Sequence, residues 1–76
     1  MNKVAIITGA SSGIGKATTS ALLKTGYKVY AGSRRIELMT DISDQGAVVQ
    51  SLDLTNEESI KNFVSTILES ENSIDV

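Results

Sequence analysis

Val4-Ala5-Ile6-Ile7-Thr8-Gly9-Ala10-Ser11-Ser12-Gly13-Ile14-Gly15 decides how this chain folds. A short apolar run enters a turn with three glycines, and the turn opens a helix-forming stretch. Strand, glycine-rich turn and helix in that order bring backbone N–H groups and a helix N-terminus against a phosphate. Gly9 lets the chain leave the strand where a Cβ would clash. Gly13 lets the backbone come close to a pyrophosphate. Gly15, already in the helix, lets helix and strand pack tightly. A bare glycine-rich turn would not need a strand and a helix on the correct sides of it. A P-loop, suggested by Lys16, fails twice. It needs a glycine where Ala10 stands and a Ser or Thr where Ala17 stands.

Working outward, the first strand is expected over about Lys3 to Thr8, with four apolar residues in a row implying burial on both faces. The first helix should run from about Gly13 to Thr25, with Ile14, Ala17, Ala21 and Leu22 facing inward and Gly26 as a left-handed stop. A second strand follows over about Lys28 to Ser33. Ile36, Met39 and Ile42 repeat every third residue and predict a short helix from Arg35 to Ser43, broken by Gln45-Gly46. Ala47-Val48-Val49 begins a third strand ending near Leu52 or Asp53. Thr55 and Glu58 have the spacing of a capping box. The helix they introduce carries Ile60, Phe63, Val64, Ile67 and Leu68 on one face. Ile74-Asp75-Val76 reads as the start of a fourth strand. Alternating strands and helices with short turns and no proline predict a parallel α/β sheet with right-handed crossovers.

Composition narrows the function. Seventy-six residues allow one small domain. There is no cysteine and no histidine, which argues against a disulfide framework and a transition-metal site. The longest apolar run is too short for a membrane helix or a signal-peptide core, so a cytoplasmic protein without a membrane partner is expected. Net charge is −2, but residues 1–35 hold six basic residues and no acidic one, whereas residues 36–76 hold Lys61 against nine carboxylates. A basic half around a phosphate-shaped turn suits an anionic cofactor. With no basic run and three aromatics, nucleic acid is not an expected partner.

The string Thr-Gly-x-x-x-Gly-x-Gly resembles the fingerprint of the short-chain dehydrogenase/reductase family, and Thr8 to Gly15 matches every fixed position. The resemblance runs on through Ser33-Arg34-Arg35, Leu52-Asp53-Leu54-Thr55 and Ile74-Asp75-Val76. It implies a partial Rossmann fold, residues 1–76 forming the N-terminal part of an NAD(P)-binding domain, with strand order 3-2-1-4. It implies an oxidoreductase moving hydride between NADPH and a carbonyl or alcohol. By the same resemblance, the Ser11 hydroxyl and the Ile14 N–H match positions that contact ribose and phosphate, with Ser12 a further candidate. The Asp53 carboxylate would accept a hydrogen bond from the adenine amino group, and the Leu54 backbone would read the ring. The alternative is an Asp at a strand end forming an Asx turn into the next helix, and both roles are compatible.

Cofactor choice rests on the end of the second strand. NAD-preferring relatives carry a carboxylate there for the ribose hydroxyls. Here the position is Ser33, followed by Arg34 and Arg35. A carboxylate would repel a 2′-phosphate, whereas Ser33 can donate a hydrogen bond to it and Arg34 can form a charge-assisted pair. NADP is therefore expected and NAD is the less favoured cofactor, although relatives with Arg or Lys before the second glycine differ from Ser12 here. The family's catalytic Ser, Tyr and Lys come after the fourth strand. Tyr27 and Tyr30 have Ala31 and Arg34 four residues on, so neither forms Tyr-x-x-x-Lys, and no catalytic residue is expected in this chain. The reading is thus the cofactor-binding half of an enzyme, inactive alone and self-associating through the sheet edge left open by a missing strand. The alternative is a free-standing nucleotide-binding or regulatory module.

Overall fold

The computed structural model describes residues 3–71 and 74–75. Its strands are β1 (Val4–Thr8), β2 (Lys28–Ser33) and β3 (Val48–Ser51). The helices are α1 (Gly13–Lys24), α2 (Thr40–Asp44), which follows a 3-10 turn over Ile36–Met39, and α3 (Glu57–Ser70). All three strands are parallel, in the order β1-β2-β3, with Val4 opposite Lys28 and Tyr30 opposite Val48. The expected α/β architecture is present.

Side chains leave a strand alternately to its two faces, and here that alternation builds two cores. Val4, Tyr30 and Leu52 meet Phe63 and Ile67 of α3 on one face. Ala10, Ala31, Met39, Ile42 and Ala47 pack on the other, with Ile7, Leu23 and Val49 against them. The middle strand is therefore β2, buried from Val29 to Ser33. Burial of β1 on both faces holds only at Val4 and Ala5, while Ile6 and Ile7 are half-buried. No strand lies on the far side of β1 among the described residues. There the Asp75 N–H donates to the Val4 carbonyl and the Asp75 carboxylate accepts the Val4 N–H, each at 2.8 Å. Ile74 packs against the α3-side core, but neither residue belongs to a strand. Val76, the last residue of the expected fourth strand, lies outside the described residues.

The inward face of α1 differs from the expected one. Ile14 is 84% exposed, Ala17 and Ala21 are exposed, and the buried residues are Gly15 and Thr19. The cause is distance. A Cβ on Gly15 would lie 2.5 Å from the Gly9 carbonyl oxygen and 2.8 Å from the Ala10 Cα. The helix thus meets the turn after β1 through its smallest residue, which turns Ile14 outward. Thr19 is tolerated in this contact because its hydroxyl donates to the Gly15 carbonyl at 2.8 Å. The helix ends as expected. Gly26 takes φ +97°, and the N–H groups of Gly26 and Tyr27 reach back to the carbonyls of Leu23 and Leu22. Gly46, at φ +114°, closes α2 in the same way. In the stretch between, Met39 and Ile42 are buried as expected, but Ile36 is 43% exposed.

At α3 the cap is Asn56 and not Thr55. Asn56 Oδ1 accepts the N–H groups of Glu58 at 2.9 Å and Ser59 at 3.2 Å. Thr55 is drawn away by Asp53, whose Oδ1 accepts both its N–H (3.0 Å) and its hydroxyl (2.7 Å). Phe63 and Ile67 are buried, Ile60 and Val64 are half-buried, and Leu68 lies outside the expected face at 49% exposure. The far end of the helix is fastened by Glu71, which accepts the Tyr30 hydroxyl at 2.7 Å and pairs with Lys28. Replacing Asn56 by alanine is expected to lower stability by about 1 kcal/mol. Urea denaturation checks this, and a larger loss from Thr55→Ala would return the cap to Thr55.

Candidate functional site

The carboxyl ends of the three strands and the loops leaving them enclose a cleft of about 330 Å³, lined by Gly9, Ser11, Gly32, Ser33, Arg34, Leu52, Asp53, Leu54 and Thr55. In open parallel sheets this is where ligands bind. Six of the ten residues singled out in the sequence line it. The other four, Ser12, Gly13, Ile14 and Gly15, form the adjoining start of α1.

Each part of the turn has a local cause. Gly9 takes φ +63°, a conformation that side chains with a Cβ rarely adopt. Ser12 caps α1, its Oγ accepting the Gly15 N–H at 3.1 Å while its hydroxyl donates to the Gly9 carbonyl at 3.0 Å. That leaves the N–H groups of Gly13 and Ile14 with no protein partner among the described residues. A Cβ on Gly13 would touch nothing within 4 Å, so the space beside those donors is open. Unpaired N–H groups at the positive end of a helix fit an anion. Lys16 is not part of this cradle, because it pairs with Asp41 at 3.2 Å.

Ser33 ends β2 and is 8% exposed. Its hydroxyl donates to Ser11 Oγ at 2.9 Å and its Oγ accepts the Arg35 N–H at 3.2 Å. Arg34 and Arg35 are exposed, and neither forms a salt bridge among the described residues. Across the cleft, Asp53 is held twice. Its N–H donates to the Ser59 hydroxyl at 2.9 Å, and its Oδ1 carries the two bonds from Thr55. The Thr55 hydroxyl, then the Thr55 N–H, and more weakly the charge of Arg34 hold its carboxyl below the usual carboxylate range against the opposing effect of burial. The Asx turn read from the sequence is therefore made, with Oδ2 left for another donor. Leu54 beside it is 60% exposed, offering apolar surface at the cleft rim.

Three lining residues, Gly32, Leu52 and Thr55, escaped the sequence reading, Leu52 having been read as a strand end. Gly32 is the floor of the cleft: a Cβ there would lie 2.8 Å from Leu52 Cδ2 and 2.9 Å from Phe63 Cε2. The signal was a glycine inside an otherwise regular strand. Thr55 was read as a helix cap, although an Asp two residues before a Thr was the available sign of its bond to Asp53.

Residues 3–76 match the family described as short chain dehydrogenase. The chain belongs to the short-chain dehydrogenase family. An uncharacterized oxidoreductase of Listeria monocytogenes is 40% identical over 97% of the chain. A metagenomic short-chain oxidoreductase solved with NADP has a TM-score of 0.82 at 31% identity, over 97% of this chain and 36% of its own. A 3-ketoacyl-(acyl-carrier-protein) reductase from Brucella melitensis, complexed with NADH, has a TM-score of 0.88 at 28% identity over 96% of this chain and 31% of its own. The chain spans about a third of the length of the curated relatives it matches, 32% for the Listeria protein. Short-chain dehydrogenase relatives thus hold either dinucleotide. Among the described residues, no helix is long and apolar enough to cross a membrane, and no group of three or more acidic, His or Cys residues could hold a metal ion.

Proposed function

We propose that this chain is the NADP(H)-binding N-terminal segment of a cytoplasmic short-chain oxidoreductase that interconverts a carbonyl and an alcohol. The observation that carries the choice of NADP is Arg34, unpaired at the mouth of the cleft, beside a serine and not a carboxylate at the end of β2. When bound, the nicotinamide gives or takes the hydride. Everything this chain contributes is binding and orientation. The Gly13 and Ile14 N–H groups at the start of α1 would hold the pyrophosphate, with Gly9 and Gly15 setting the turn that presents them. Arg34 would meet the 2′-phosphate, with Ser11 and Ser33 beside it. Asp53 Oδ2 would accept from the adenine amino group, and Leu54 would cover the ring. Ser12 contributes through its cap on the helix. The open side of β1 is proposed to recruit a further strand, from another copy when the chain is alone.

The experiment is a titration of the 76-residue chain with NADPH and NADH, followed by cofactor fluorescence. NADPH is expected to bind more tightly. Arg34→Ala should remove about 1.5–3 kcal/mol of NADPH binding, the range for a hydrogen bond to a charged group, with little change for NADH. Equal affinities before mutation overturn the assignment to NADP.

A further inference from the structure

We propose that Ser33 is a positioning residue that fixes the Ser11 hydroxyl with its proton toward the bound 2′-phosphate. The proposal rests on the NADP reading above and assigns the hydrogen bond from this corner of the cleft to Ser11 and not to Ser33. The argument is one of direction. A hydroxyl has one proton to give and two lone pairs to receive with. Ser33 is almost fully buried, and one of its lone pairs is taken by the Arg35 N–H, which can only donate. A buried hydroxyl proton needs an acceptor, and Ser11 Oγ, 2.9 Å away, is the acceptor it has. With its proton spent there, Ser33 has none for a ligand. Ser11, receiving that bond, must aim its own proton elsewhere. Ser11 lines the cleft together with Arg34, so the pair presents one oriented O–H and one guanidinium to the same anion.

This arrangement joins residues 22 positions apart, one in the turn after β1 and one at the end of β2. It makes the two hydroxyls a single unit: losing Ser33 leaves Ser11 free to rotate, and losing Ser11 leaves Ser33 without a target.

The test compares adenosine 2′,5′-bisphosphate with adenosine 5′-monophosphate, which differ by the 2′-phosphate alone, using NMR titration of the 76-residue chain. The same spectra report whether each variant is folded. The native chain should prefer the 2′-phosphorylated ligand; no preference defeats the NADP reading itself. Given that preference, Ser11→Ala should weaken adenosine 2′,5′-bisphosphate roughly tenfold and adenosine 5′-monophosphate hardly at all. Ser33→Ala should lose a similar factor, and Ser33→Thr, which keeps the hydroxyl, should restore it. The double variant should lose no more than the worse single one, because residues acting as a unit are not additive. Additive losses overturn the proposal, whether Ser33 meets the phosphate itself or only pins the Arg35 N–H. So do an Ser11→Ala variant with unchanged preference and a folded Ser33→Thr variant without rescue. If Ser33→Ala does not fold, Ser11→Ala and Ser33→Thr decide.

Discussion

Gly15→Ala is expected to destabilise the chain by about 2–3 kcal/mol and to abolish dinucleotide binding. In an exposed helix the same change would help, by about 1 kcal/mol, because alanine is the better helix former. Here the new methyl would lie 2.5 Å from the Gly9 carbonyl oxygen and 2.8 Å from the Ala10 Cα. Both obstacles are backbone, so no side-chain rotation relieves them, and overpacking of this kind costs about 1–3 kcal/mol or more. The clash outweighs the helical gain. A domain of this size holds only about 0.05–0.15 kcal/mol per residue, so the loss is a large share of the total. Binding suffers separately, since α1 must move off Gly9 and takes the Gly13 and Ile14 donors with it. Thermal unfolding followed by circular dichroism measures the first effect and NADPH titration the second. An unchanged or raised midpoint would mean that helix and turn can part without cost.

The second large effect is expected from the 76-residue chain purified by itself: no NADPH turnover, and a mass of two chains or more. For the activity, no histidine is present and neither tyrosine begins a Tyr-x-x-x-Lys, so no group of the family's kind can protonate a carbonyl beside the nicotinamide. For the mass, Asp75 occupies the backbone groups of Val4 alone. Successive residues of a strand direct their N–H and C=O groups to opposite sides, so those of Ile6 and Thr8 point the same way as those of Val4. An apolar strand edge of this kind pairs with another chain. Size-exclusion chromatography with light scattering decides the second point. A sharp 8.1 kDa monomer with cooperative unfolding would show that Ile74 and Asp75 suffice to close the edge. Turnover by the pure chain, persisting after further purification, would overturn the first.

Where local chemistry decides, the sequence was legible. Lys28 to Ser33 is the second strand with the expected bounds, and Gly26 and Gly46 end their helices because a positive φ is required there. The glycine turn, Ser33-Arg34 and Asp53, singled out by the resemblance to the family, are brought to one end of the sheet. Two kinds of feature were not legible. Hydrophobicity pointed to Ile14, Ala17, Ala21 and Leu22 as the inner face of α1; Leu22 is half-buried, the other three are exposed, and the innermost residues are Gly15 and Thr19. Thr55 and Asn56 are adjacent and both can cap, and the choice depended on which of them Asp53 engaged. The contact between Ser11 and Ser33 depends on the turn after β1 meeting the end of β2, which no reading of either segment alone contains.

Helix α3 is a beam pinned at both ends. Near the cleft its Ser59 hydroxyl receives the Asp53 N–H, and beyond its other end Glu71 holds Tyr30 and Lys28 of the central strand. Most of the fourteen-residue helix lies between the two anchorages, which are about 18 Å apart along it. The Asp53 carboxylate is therefore aligned in part from the opposite end of the sheet. A change at Glu71, which does not line the cleft, would shift the helix whose Ser59 holds Asp53.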